Sequence, residues 1–275
     1  MCSPSWSSLQ IPAPAYVPLL DLCVQAGLCV AAVIRTLNGE PFATFNAKTV
    51  LLSQRLPGRH IYNPTLSQVE ALGRFAARLH NATANCDLTI PAYPRNAQWL
   101  TQAASDVRRY LPFEATQLLD DTLANVSSLL GRSDVHDLPR GVIHGDLFRD
   151  NLLFNERGLT GVLDFHHAAN GYLLYDLAVA ANDWYTDSSG VLDTERTTAL
   201  LRSYHAIHPL SSAEIRFFPL FALYAALSFW LSRLMISVQC NEQGNIRFNN
   251  PEEFQRILQQ HASHFFYLDE RLLIA

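Results

Sequence analysis

Between Val142 and Phe165 the chain reads V-I-H-G-D-L-F-R-D-N-L-L-F-N-E-R-G-L-T-G-V-L-D-F, and this stretch restricts the fold more than any other. Leu152 to Phe154 is a short apolar strand, Asn155 to Gly158 a turn, and Leu159 to Leu163 the returning strand. A hairpin of this kind sets Asn151 and Asp164, at its two open ends, side by side. Asp146 falls on the loop that enters the hairpin. Two carboxylates and a carboxamide oxygen thus converge. Hard oxygen donors suit Mg2+, which keeps few protein ligands and takes the rest from substrate phosphates and water. With Asn151 and Asp164 on the metal, Asp146 is left to accept a proton from an attacking hydroxyl, which is the division of labour that phosphoryl transfer needs.

The rest of the chain is organised around this hairpin. Residues 1–16 are rich in Ser and Pro and read as an irregular lead-in, because Pro12, Pro14 and Pro18 discourage regular structure. Residues 19–26 read as a short helix stopped by Gly27. Ala31 to Thr36 and Pro41 to Phe45 read as strands joined at Asn38-Gly39, and Thr49 to Ser53 as a third strand leading to Pro57-Gly58. From residue 65 the period becomes helical, with Leu72, Phe75, Ala76 and Leu79 on one face and Thr65 or Ser67 as cap. One or two helices are expected over 95–132, and helices again from 193 onward. Phe217 to Leu231 is apolar but short for a bilayer and is expected to be a buried helix.

Only 16% of residues are charged, the net charge is −5 and no Lys/Arg run occurs, which argues against a basic nucleic-acid-binding face. Cys2, Cys23, Cys29, Cys86 and Cys240 form no C-x-x-C or metal-like cluster, so reduced thiols in a cytoplasmic protein are expected. No membrane segment or signal peptide is expected.

The spacing of His144, Asp146, Asn151 and Asp164 resembles the kinase catalytic loop, H-x-D-x-x-x-x-N followed by Asp-Phe. His166 stands where protein kinases have glycine, and together with Gly145 this is closer to the small-molecule phosphotransferases. The segment from Leu72 to Thr83 and Tyr175-Asp176-Leu177-Ala178 resemble the aminoglycoside phosphotransferase-like kinases. The strings L-F-R-D-N-L-L-F, N-D-W at 182–184 and F-W-L-S-R-L at 229–234 resemble the bacterial homoserine kinases among them, and the likeness runs from about Val17 to the C-terminus. It implies an α+β, protein-kinase-like two-lobed fold: an incomplete N-terminal β-lobe over 17–56 and a mainly helical catalytic lobe over 57–275.

The same resemblance implies ATP and Mg2+ as cofactors and L-homoserine or a similar amino-alcohol as substrate. Adenine would meet the hinge at Gln54, Arg55 and Leu56. Asp146 and His144 are the catalytic candidates, with His144 ordering the loop through hydrogen bonds. Asp176 is expected to brace that loop. Arg149, Asp150, Asn182, Asp183 and Arg233 are the candidates for holding the ammonium and carboxylate of the acceptor. An aminoglycoside, choline or thiosugar is the alternative acceptor; a catalytically silent kinase-like protein is the alternative from another class. The resemblance further implies a phosphate-covering Gly-rich loop and earlier strands, which are not expected within this chain. Lys48, the only lysine, is not expected to replace their phosphate contact. An exposed edge, an uncovered apolar face and weak activity are expected from that lack.

Overall fold

A computed structural model describes residues 13–46, 48–184, 189–241 and 250–263; Cys2 and the side chain of Cys240 lie outside them. Helix α1 runs Ala13–Gln25 and takes in Pro14 and Pro18, so the expected irregular lead-in is already helical from Ala13. Pro14 falls in the first turn, where a missing N–H has no intrahelical acceptor to lose. Pro18 does forfeit a bond, at a cost of about 3 kcal/mol. Burial of Val17, Leu19, Leu20 and Cys23 on the same helix outweighs it, since each fully buried aliphatic contributes roughly 1.5–3 kcal/mol. Gly27, at φ 69°, ends the helix, and the Leu28 N–H closes it by donating to Cys23 O at 2.9 Å.

The strands that follow pair differently from expectation. Strand β1 (Ala43–Phe45) pairs with β2 (Lys48–Val50), whereas the run expected as their neighbour, 31–36, meets residues 52–54. Ile34 N donates to Leu52 O at 2.8 Å and Gln54 N to Ala32 O at 2.9 Å. Asn38-Gly39 still turns the chain, with Gly39 N on Thr36 O at 2.9 Å. The run is drawn away from a simple hairpin because Val30, at its start, is buried beside Val162 in the larger part of the molecule. Ile34, Leu37, Phe42, Phe45, Val50 and Leu52 remain exposed on this small β layer.

The helical body begins with α2 (Leu66–Thr83), whose Val69, Leu72, Phe75, Ala76 and Leu79 are buried on one face and whose first turn is closed by Thr65 N on Gln68 Oε1 at 2.9 Å. Helix α7 (Thr194–His205) crosses α2 at Gly73, where a Cβ would stand 2.1 Å from Ser203 Oγ and 2.5 Å from Leu200 O. Between them come α3 (Ala97–Arg108), α4 (Phe113–Leu130), the single turn α5 (Ser133–His136) and β3 (Arg140–Ile143). Strands β4 (Leu152–Asn155) and β5 (Gly158–Val162) form the expected hairpin, and β6 (Ala169–Tyr172) returns antiparallel to β3 with Ile143 opposite Ala169. Helix α6 (Leu173–Trp184) follows directly, and α8 (Ser212–Asn241) and α9 (Pro251–Ser263) close the body.

The apolar helix is longer than Phe217 to Leu231 suggested. A 27-residue part of α8, Ser212–Val238, has the length and mean hydropathy (1.5) to cross a bilayer, yet 67% of its most apolar stretch is buried inside the protein. It packs against α3, α4, α6 and α9. A helix surrounded by other helices must be apolar on every side, and α8 is that central helix.

Candidate active site

Pairing of β3 with β6 fixes the loop after Ile143. Gly145 takes φ 75° there, and a Cβ would come within 2.8 Å of His167 O, so this turn requires glycine. Asp176, fully buried in the first turn of α6, holds the loop from below. Its Oδ2 accepts from His144 N and its Oδ1 from Gly145 N, both at 2.7 Å, and His80 Nε2 lies 3.2 Å from Oδ2. His144 is also fully buried. Its Nε2 donates to Leu163 O at 2.8 Å, and its Nδ1 accepts from Asp146 N at 3.3 Å. Burial holds the ring below its ordinary pKa and so neutral. His144 ties the loop to the hairpin from behind through these hydrogen bonds and is not among the residues lining the cleft.

The hairpin delivers the oxygen donors. Leu152 stands opposite Val162, and Leu163 N donates to Asn151 O at 2.8 Å, which sets Asn151 next to the entry to Asp164. Arg157 N on Asn155 Oδ1 at 2.8 Å closes the turn. The Asn151 amide donates through Nδ2 to Asp146 O (2.8 Å) and Asp146 Oδ2 (2.9 Å). Asp164 adopts the left-handed conformation, φ 57°, tolerated by a short polar side chain. Beyond it, the short 3-10 turn Phe165–His167 meets α1, where Tyr16 stacks on His166 with ring centroids 4.6 Å apart.

Asp146, Asn151 and Asp164 line one cleft of about 520 Å3, with Arg149, Asp150, Asp183 and Arg233. Asp146 is pushed up to about 7, chiefly by burial, against the pull of Arg95 and the Asn151 hydrogen bond. Arg149 grips Asp183 through Nε (3.2 Å), Nη2 (3.3 Å) and its backbone N (2.7 Å). Arg233 pairs with Glu253 at 2.6 Å and lies over the Phe254 ring. Asp150 is exposed at the rim.

Two of the expected contacts lie outside this cleft. Asn182 is buried between α6, α8 and α9, with Nδ2 on Ala222 O at 2.7 Å and Oδ1 facing His261 Nε2 at 3.0 Å, because an amide inside a helix bundle needs partners for both its ends. Gln54, Arg55 and Leu56 do not line the cleft. The Gln54 N–H is taken by Ala32 O, and Leu56 packs on Gly161. His60, Ile61 and Tyr62 reach the cleft in their place.

Sequence reasoning missed Arg95. Residues 91–93 bond alongside β6, with Tyr93 N on Asn170 O (2.8 Å) and Asn170 N on Pro91 O (2.7 Å), and Asn96 then caps α3 through Trp99 N at 3.0 Å. Arg95, between these anchors, lines the cleft at 5% exposure. His167 shares that wall and is pushed down to about 4 by burial, with Arg95 adding to the effect.

Residues 3–210 match the family model described as APH: Phosphotransferase enzyme family. A homoserine kinase of Pseudomonas aeruginosa (strain LESB58) is 35% identical over 247 residues, which are 90% of this chain and 77% of that protein. The homoserine kinase of Ralstonia pickettii (strain 12J) is 34% identical over 254 residues, 90% of this chain and 76% of the relative. Among solved structures, a choline/ethanolamine kinase family protein from Mesorhizobium loti superposes with a TM-score of 0.64 at 15% identity, covering 96% of this chain and 82% of the other. An amicoumacin kinase in complex with AMP-PNP, Ca2+ and Ami gives 0.63 at 16% identity, covering 91% and 77%. These structural likenesses establish the kinase-like α+β fold, and the sequence matches go further: the chain belongs to the phosphotransferase enzyme family.

Proposed function

We propose that this chain transfers the γ-phosphoryl group of ATP to the hydroxyl of L-homoserine, giving O-phospho-L-homoserine. The observation that carries the chemistry is the Asp146–Asn151 pair beside Asp164 in one cleft. Asp146, its carboxyl pushed up to about 7 by burial, is a base matched to neutral pH. It orients the acceptor hydroxyl and takes its proton, while the Asn151 amide fixes the carboxylate in place. The acceptor assignment rests on the identity to homoserine kinases over 90% of the chain.

The donor set fits Mg2+. Both hydrogens of the Asn151 amide point to Asp146 oxygens, which leaves Asn151 Oδ1 as a free acceptor. Among the described residues the ion-pair-range neighbour of the Asp164 carboxylate is His166 Nε2, at 4.0 Å. Asn151 Oδ1 and Asp164 would hold the ion, which when bound neutralises charge on the transferring phosphate. His60, Ile61 and Tyr62 contribute the wall facing the helical body and help exclude water. The free, partly or fully buried thiols of Cys23, Cys29 and Cys86 support a reducing, cytosolic setting.

Purified chain is assayed for ATP consumption with Mg2+ and L-homoserine, choline or an aminoglycoside, beside Asp146→Ala. Turnover that depends on L-homoserine and is lost in the variant is the expected result. Turnover with choline or the aminoglycoside in preference, or equal turnover by Asp146→Ala, refutes the proposal.

A further inference from the structure

Three arginines line the cleft, and their partners separate them. Arg149 is neutralised by Asp183 and Arg233 by Glu253. Arg95 has no carboxylate within ion-pair distance among the described residues. Its Nη2 reaches Ser232 Oγ at 3.4 Å, the guanidinium also interacts with the Tyr175 hydroxyl, and its buried Nη1 has no hydrogen-bond partner. The planar faces of the guanidinium are covered by aromatic rings, Phe229 at 4.4 Å and Trp99 at 5.8 Å from ring centroid. Tyr224 holds its backbone by donating to Arg95 O at 2.6 Å. The stem is thus fixed and the faces are stacked, while part of the donor edge is unspent. Asp146 acts on Arg95 from beyond ion-pair distance, but a buried cation with no directly paired anion is unfavourable unless something supplies one, and a rigid guanidinium fork matches a carboxylate through two parallel hydrogen bonds.

Position says whose carboxylate it is. Asn151 and Asp164 stand on the β4–β5 hairpin, where the phosphates belong. Arg95 lines the cleft from its helical side, at the entry to α3 and against Phe229 and Ser232 of α8. Asp146 lines the same cleft and is bonded to Asn151 on the hairpin side. An acceptor whose hydroxyl sits at Asp146 therefore extends its far end toward Arg95. We infer that Arg95 anchors the α-carboxylate of the acceptor and so selects amino-acid alcohols over amino alcohols that lack a carboxylate. This deepens the homoserine reading and rests on it.

The test compares L-homoserine with 3-aminopropan-1-ol, which differs only by the missing carboxylate, in the wild type and in Arg95→Gln. Wild type should favour L-homoserine in kcat/KM. The variant should raise KM for L-homoserine about 10- to 150-fold, the range for one charge-assisted interaction. Its KM for ATP should hold, any change in kcat through Asp146 should be the same for both acceptors, and the two acceptors should become equivalent in kcat/KM. A variant that keeps the wild-type preference overturns the anchor while leaving the homoserine reading intact. A wild type that prefers 3-aminopropan-1-ol overturns both. Should Arg95→Gln not fold, Arg95→Lys keeps the charge without the fork and should show a smaller rise in KM. Calorimetry on the wild type alone gives a readout free of turnover: L-2-aminobutyrate should bind and propylamine should not, and binding by both equally refutes the inference.

Discussion

Asp176 is the place to test whether the loop geometry has been read correctly. Its carboxylate is the acceptor for His144 N and Gly145 N, at 2.7 Å each, and faces His80 Nε2 at 3.2 Å, with no exposure to solvent. Asp176→Ala leaves two buried backbone donors without partners. At about 1–3 kcal/mol each, that is a loss of about 2–6 kcal/mol. Removing a negative charge from the first turn of α6 adds about 0.3–1 kcal/mol. Asp176→Asn keeps one acceptor oxygen but turns an NH2 toward either the His144 or the Gly145 N–H, so one donor is lost, at about 1–3 kcal/mol. Single-domain stabilities are about 5–15 kcal/mol, so the Ala variant should approach the limit of folding and the Asn variant should stay folded. Urea unfolding at constant pH, followed by tryptophan fluorescence and checked for unchanged m-values, measures both losses. The Asn variant should also lose kcat, because the braced backbone ends at Gly145, immediately before Asp146. Losses below about 1 kcal/mol in both variants, or a larger loss for Asn than for Ala, would refute the reasoning.

Two further outcomes are expected. The folded pKa of Asp146, about 7, lies above its ordinary value, so its penalty on folding is absent below about pH 4, grows as pH rises and is complete above about pH 7. In metal-free buffer, Asp146→Asn should therefore stabilise the protein at pH 8 by at most about 4 kcal/mol, less because the carboxylate faces the open cleft, and by nothing at pH 4. Its kcat should fall about 100- to 10,000-fold. A variant equally stabilised at both pH values contradicts the assignment. Gly73→Ala gains about 1 kcal/mol of helix propensity but drives a Cβ to 2.5 Å from Leu200 O. The backbone carbonyl cannot swing aside, so a net loss of about 1–3 kcal/mol is expected in thermal unfolding, and a raised Tm would overturn the α2–α7 contact.

What the sequence made legible was local. Asn151 and Asp164 flank one strand–turn–strand and Asp146 lies on the loop that enters it, so short-range spacing relates them without knowledge of the rest of the chain. Arg95 was not legible, since it sits in P-R-N between a bridge to β6 and the cap of α3, and nothing periodic marks it. The partners that neutralise Arg149 and Arg233 were equally hidden. Asp183 is 34 residues from Arg149 and Glu253 is 20 residues from Arg233, so only the packing of α6 and α9 brings each pair together. Pro14 and Pro18 misled for the opposite reason, because a local rule was overridden by burial of Val17, Leu19 and Leu20.

The all-round apolar character of α8 has a cost during synthesis. Before α9 has left the ribosome, the growing chain displays a segment with the hydropathy of a membrane span, and its covering partners come from both sides of it in sequence. Until those helices dock, the segment is a ligand for chaperones, for the targeting machinery and for other nascent copies. The yield of native protein is then set by a race between docking and diversion. A substitution such as Gly73→Ala, at a residue that does not line the cleft, should show its effect as protein shifted to the membrane or aggregate fraction, with the specific activity of the soluble remainder unchanged.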